Sequence, residues 1–170
     1  MAWFRKTAEV TTQRDPRPAR YVGFAPGIPY LYEFTTAEGG HVNLHDAAFE
    51  SLRYDAGSPP TVIATFIVDD EELRSPIPAS PRVINSRVCS RFTDAFVISW
   101  DSNQEDPEYR SDRTLPHGQV HDFNVYEGRC FAIQTIDDEI YIEATSLEVG
   151  VEPMHKDEVA STLARIGGRG

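Results

Sequence analysis

Apolar and polar residues alternate with a period of two along most of this chain, the spacing of half-buried strands rather than helices. The pattern predicts short aromatic strands at Tyr21–Phe24 and Tyr30–Phe34, separated by the turn signals Pro26-Gly27 and Pro29. Ala47–Tyr54 and Thr61–Val68 flank Asp55-Ala56-Gly57-Ser58-Pro59-Pro60 and read as a hairpin with a wide loop. Val83–Arg91 and Ala95–Trp100 form a second pair, and Val120–Tyr126, Arg129–Ile136 and Glu139–Val149 complete the series. Glu127-Gly128 and Asp137-Asp138 are the tight turns between these last three. The fold expected is all-β, an antiparallel sandwich or barrel of eight to nine strands.

One helix is predicted. Lys156–Ile166 places Val159, Leu163 and Ile166 at i, i+4 and i+7, and Gly167-Gly168 stops it. Its apolar stripe is narrow, so it should lean on one sheet or on a partner. Two stretches read as loops. Asp69–Arg82 carries four acids and Pro76, Pro78 and Pro81, and Asp101–Gln119 is polar and without period. The expected organisation is a basic arm over residues 1–20, a β domain over 21–152, and a C-terminal helix and tail over 153–170.

Charge changes this picture most. The 170 residues hold 16 Lys+Arg against 27 Asp+Glu, a net charge of -11. Residues 1–20 carry five basic and two acidic side chains, so the acidic excess lies entirely in the remainder. Between Arg129 and Lys156 there are Asp137, Asp138, Glu139, Glu143, Glu148 and Glu152 and no Lys or Arg. Such a body argues against nucleic acid and anionic membranes as partners. The longest uncharged apolar run, Thr61–Val68, is too short to span a bilayer. The N-terminal residues lack the apolar region of a signal peptide, so a cytoplasmic protein with reduced thiols is expected. Fourteen of the 16 basic residues are Arg, the usage of a GC-rich bacterial genome.

Chemical signatures are few. No G-x-S-x-G, P-loop, G-x-G-x-x-G or C-x-x-C occurs, and Cys89 and Cys130 sit inside predicted strands. No catalytic residue, metal ligand or cofactor is assigned. The most unusual feature is an echo: residues 41–46 read HVNLHD and 117–122 read HGQVHD. Each is followed by a strand, a turn and a second strand running into Asp-Asp-Glu, as a duplicated hairpin unit would be. Along a strand the two histidines of one copy lie about 13 Å apart, too far to share an ion. A metal would need His45, Asp46, His121 and Asp122 to converge from both copies; otherwise the aspartates serve the turns.

Binding has better signals. Trp100 leads directly into the acidic run 101–109, an aromatic anchor among carboxylates that suits a cationic protein partner. The expected partner-binding residues are Asp69, Asp70, Glu71, Glu72, Trp100, Asp101, Glu105, Asp106, Glu108 and Tyr109. The stretch Leu44-His45-Asp46-Ala47-Ala48-Phe49-Glu50-Ser51-Leu52-Arg53-Tyr54-Asp55, followed by Thr61–Phe66, resembles small bacterial β-rich immunity proteins that neutralise polymorphic toxins. The resemblance covers about 25 residues and carries no invariant motif. It implies an acidic inhibitor that blocks a basic toxin. Two other classes fit the same residues: a structural subunit of a phage particle or secretion machine, and a metal-dependent enzyme built on the His-Asp pairs. Oligomeric state is left open by the sequence.

Overall fold

A computed structural model describes residues 17–69, 82–102, 118–136 and 138–167. Twelve strands and one helix occupy them: β1 (Arg20–Val22), β2 (Phe24–Gly27), β3 (Tyr30–Thr36), β4 (His41–Asn43), β5 (Ala48–Asp55), β6 (Thr61–Val68), β7 (Ser86–Thr93), β8 (Phe96–Ser102), β9 (Val120–Tyr126), β10 (Cys130–Thr135), β11 (Asp138–Glu143), β12 (Ser146–Pro153) and α1 (Lys156–Gly167). A five-stranded sheet has the order β1-β12-β7-β6-β5, and a seven-stranded sheet the order β2-β3-β9-β10-β11-β8 with β4 on β3. Neither closes on itself, so the molecule is a sandwich and not a barrel.

The strand count exceeds the eight to nine expected because the chain changes sheets inside two segments of unbroken β pattern. The predicted strand Tyr21–Phe24 is split at Gly23 into β1 and β2, one in each sheet. Gly23 has φ +80, and a Cβ there would lie 2.8 Å from the carbonyl oxygen of Val149. Only glycine allows both the left-handed turn and that close approach. The predicted strand Glu139–Val149 likewise divides into β11 and β12 around Ala144 and Thr145. Here the Thr145 amide and its Oγ1 both donate to the Thr93 carbonyl, at 3.1 Å each. That ties this corner to the neighbouring one, where Asp94 (φ 50) carries the chain from β7 to β8. β4 is too short to show a period and escapes the pattern. β1 runs parallel to β12, the one parallel strand pairing in an otherwise antiparallel set among the described residues.

The two sheets are joined by phenylalanines from both. Phe66 and Phe92 of the five-stranded sheet meet Phe123 and Phe131 of the other. Phe92 sits 6.2 Å from Phe123 and 5.2 Å from Phe131 between ring centroids, at inclinations favoured by aromatic pairs. All four are fully buried. Tyr21 extends the cluster to Phe131, Phe24 and, through Phe24, to Phe34. Val62, Val88, Ile133, Ile140, Ile142 and Leu147 fill the layer around them.

The helix leans on a sheet, as its stripe requires. Val159, Leu163 and Ile166 pack with Met154 on Ala48 and Ile67, forming a second, smaller core outside the five-stranded sheet. Asp157 and Glu158 in the first turn and Arg165 in the last complement the helix dipole. Glu50, whose side chain is nearly buried, accepts from Arg87 Nε at 2.8 Å and from Arg165 at 2.7 Å. One carboxylate therefore clamps helix to sheet. At the other end of the chain, Ala19 is already buried and its amide donates to the Gly128 carbonyl, so the body begins just before β1; residues 1–16 of the arm lie outside the described residues.

The aromatic junction makes a direct prediction. Phe92→Ala should cost about 3–5 kcal/mol in urea unfolding, because it leaves a cavity that both sheets line. Phe96→Ala, at a half-exposed position of β8, should cost less than about 1 kcal/mol.

Candidate functional site

Of the ten expected partner-binding residues, Asp69, Trp100 and Asp101 fall within the described residues; Asp70, Glu71, Glu72, Glu105, Asp106, Glu108 and Tyr109 lie outside them. Asp69 is exposed directly after β6. Trp100 lies in a strand, as the predicted Ala95–Trp100 has it, but Asp101 is not where the loop reading put it. β8 runs on to Ser102, so both are strand residues, held by the β11 ladder.

β8 ends the order of the seven-stranded sheet and pairs with β11 alone among the described residues. Three of its large apolar side chains are open to solvent: Phe96 (48%), Ile98 (42%) and Trp100 (51%). They do not share one face: Trp100 stands opposite the buried Ile140 and Phe96 opposite Glu143, two positions of β11 that point to opposite sides of the sheet. The ladder has a register shift at this point, with Val97 opposite Ile142 and Ser99 opposite Tyr141, which leaves Ile98 without a partner residue. Such a bulge blunts an edge against indiscriminate strand addition, so recognition here rests on side chains more than on backbone pairing. Trp100 is held in place: its Nε1–H donates to Asp138 Oδ1 at 3.0 Å.

Carboxylates accompany both faces: Asp138 that of Trp100, and Asp101, Glu139 and Glu143 that of Phe96. Asp101 faces Glu139 across the ladder, and Phe96 faces Glu143. Like charges directly opposite on a sheet are unfavourable, and a cation brought to them relieves the repulsion. Glu139 is partly compensated from its own sheet. Its Oε1 accepts from Tyr141 OH at 2.6 Å and from Gln134 Nε2 at 2.5 Å, which holds its pKa below the ordinary carboxylate value. The same bond, with burial and the carboxylate's charge, pushes the Tyr141 phenol up to about 12.

The two His-Asp segments form a second cluster. The Asp46 amide donates to the Val120 carbonyl at 2.9 Å, the Val120 amide to Ala47 at 2.8 Å, and the Phe49 amide to Gly118 at 2.7 Å. The segments thus run side by side, and one histidine of each copy, His45 and His121, come within 5.8 Å between ring centroids. Their local conformations differ. Asp46 turns the chain with φ 72 before β5, whereas His121 and Asp122 lie inside β9. The hairpins that follow also part company, β5–β6 in one sheet and β9–β10 in the other. Asp46 stands in a turn, but among the described residues its carboxylate holds side chains and not backbone N–H groups: it accepts from Gln119 Nε2 at 2.6 Å and pairs with His45 Nδ1 at 3.0 Å. Tyr32 packs edge-on against His45, and burial, Glu33 and Asp122 raise its pKa.

Neither cysteine is set up as a nucleophile. Cys130 is buried, and burial together with the Glu152 charge raises the Cys89 pKa, the reverse of what a reactive thiolate needs. Among the described residues no group of three or more His, Cys, Asp or Glu side chains is placed to share one ion, and no helix is long and apolar enough to cross a membrane. No model of a known protein family, no curated protein and no solved structure matches the chain.

Sequence reasoning singled out Trp100 and did not name the exposed Phe96 and Ile98 of the same strand. Phe96, Val97 and Ile98 are three consecutive apolar residues, which a strand with one buried face does not need. That surplus was the available signal. The Tyr141–Glu139 pair is testable by ultraviolet difference titration. Its phenol should ionise near pH 12, and Glu139→Gln should return it toward 10. Because the folded-state value is raised, the stabilisation is complete below pH 10 and is lost as pH rises through about 12.

Proposed function

We propose that this chain is a protein-binding module, of the acidic inhibitor or immunity type, that receives a basic protein at strand β8. The observation that carries the reading is the exposed Trp100 on the end strand of the seven-stranded sheet, its indole bonded to Asp138 and Asp101 following it in sequence, with Phe96 exposed beside Glu143 on the other face. Tryptophan with a fixed indole is a favourable anchor, since little side-chain freedom is left to lose on binding. The surrounding carboxylates attract a cationic partner at long range and select against acidic ones. The net charge of -11 acts in the same direction over the whole surface. In an inhibitor of this kind, affinity comes from occupying the basic partner's working surface, and no chemistry is required of the chain itself.

The test is affinity capture from the native host with wild-type protein and two variants, each checked for wild-type circular dichroism. Trp100→Ala should weaken a stoichiometric basic partner by about thirtyfold, the loss of about 2 kcal/mol expected of an interface anchor. Asp101→Lys should slow association at low salt, with the difference shrinking as salt is raised. Full retention of the partner by Trp100→Ala would refute the β8 surface.

A further inference from the structure

We infer that His45 and His121 form a two-imidazole site for a divalent transition-metal ion such as zinc, nickel or copper. Their ring centroids are 5.8 Å apart with ring planes inclined at 42°. Two imidazoles bound to one ion through nitrogens at about 2.0–2.1 Å have centroids roughly 5–6 Å apart, and the observed separation falls in that range.

The histidine tautomer is favourable. Asp46 Oδ2 lies 3.0 Å from His45 Nδ1, so that nitrogen carries the proton and donates it to the carboxylate. Nε2 is left with its lone pair, the arrangement in which an outer carboxylate orients a ligating histidine. Asp46 is itself fixed by Gln119 Nε2 at 2.6 Å. On the other copy, Asp122 accepts from Asn124 Nδ2 through one oxygen, while its Oδ1 and the Asn124 Oδ1 are buried acceptors without a protein donor. The Asp46 carboxylate places negative charge beside the His45 imidazole, which favours a bound dication.

Backbone geometry sets the spacing. The Asp46–Val120 and Ala47–Val120 hydrogen bonds lock the turn before β5 to the start of β9, so the histidines are fixed by main chain and not by flexible loops. Half of the His45 side chain is open and His121 is exposed, so the ion would be reached from solvent and its remaining positions filled by water. Imidazole donors select zinc, nickel or copper over magnesium or calcium. With two protein ligands the site is an exchangeable one and not a closed structural centre.

The experiment is isothermal titration calorimetry of tag-free, metal-stripped protein with zinc and with nickel, with magnesium as control. One-to-one saturable binding is expected for zinc and nickel and none for magnesium. His45→Gln and His121→Gln should each weaken binding at least tenfold, Asp46→Asn about tenfold through the lost orientation, and His155→Gln not at all. Circular dichroism of each variant establishes that the fold is kept, and histidine ring resonances should shift for residues 45 and 121 alone. Absence of saturable binding by the wild-type protein would overturn the assignment. So would binding that survives in both His45→Gln and His121→Gln, or that disappears in His155→Gln.

Discussion

Phe92 is the residue on which the arrangement turns. It stands on a strand of the five-stranded sheet and touches Phe123 and Phe131 of the other, with Phe66 stacked on Phe123 beside it. A sheet of this kind has no stability alone, because its inner face is apolar and must be covered. The four rings supply that cover at the centre, and everything that faces outward is positioned by the strands they hold. The register of β7 against β6 and β12, and of β9 against β10, follows from the need to bring these rings inward together.

The chain meets this need by passing between the sheets four times, at Gly23, around Asp46, at Asp94 and at Ala144–Thr145. Two of these crossings set what the surface presents. The crossing at Asp94 sends β8 out to the end of the seven-stranded sheet, where Phe96, Ile98 and Trp100 remain in solvent. The crossing at Asp46 brings the first His-Asp segment against the second. Exposure of β8 is therefore a product of the topology, and the acid-only stretch between Arg129 and Lys156 supplies its neighbour β11 with Asp138, Glu139 and Glu143.

Much of the fold was legible. β6 and β9 have the bounds that the period of two gives, and α1 begins at the predicted Lys156. The helix docks through the residues of its narrow stripe. Sheet membership was not legible, because a strand that crosses at a corner keeps its alternation on both sides of it. Glu139–Val149 reads as one strand for this reason, and only the Thr145 hydrogen bonds to Thr93 reveal the break. The candidate site was legible in part. Trp100 stood out by residue type and by the acids after it, and the period of two placed it in a strand; that the strand runs on to Ser102 and pairs with β11 is encoded by no local pattern. The convergence of His45 and His121 was open to sequence as an arrangement and closed to it as a fact, since residues 76 positions apart meet only through the tertiary fold.

The central claim is that β8 is the surface a protein partner covers. Hydroxyl-radical footprinting of the complex addresses it most directly, because the exposed large apolar residues are spread over the molecule: Ile28, Tyr30, Tyr54, Ile84, Phe96, Ile98, Trp100 and Tyr126. The account predicts that binding suppresses oxidation of Phe96, Ile98 and Trp100 and leaves Tyr54 and Tyr126 at their free rates. Unchanged oxidation at Trp100, with protection at Tyr30 or Tyr54 instead, would contradict it.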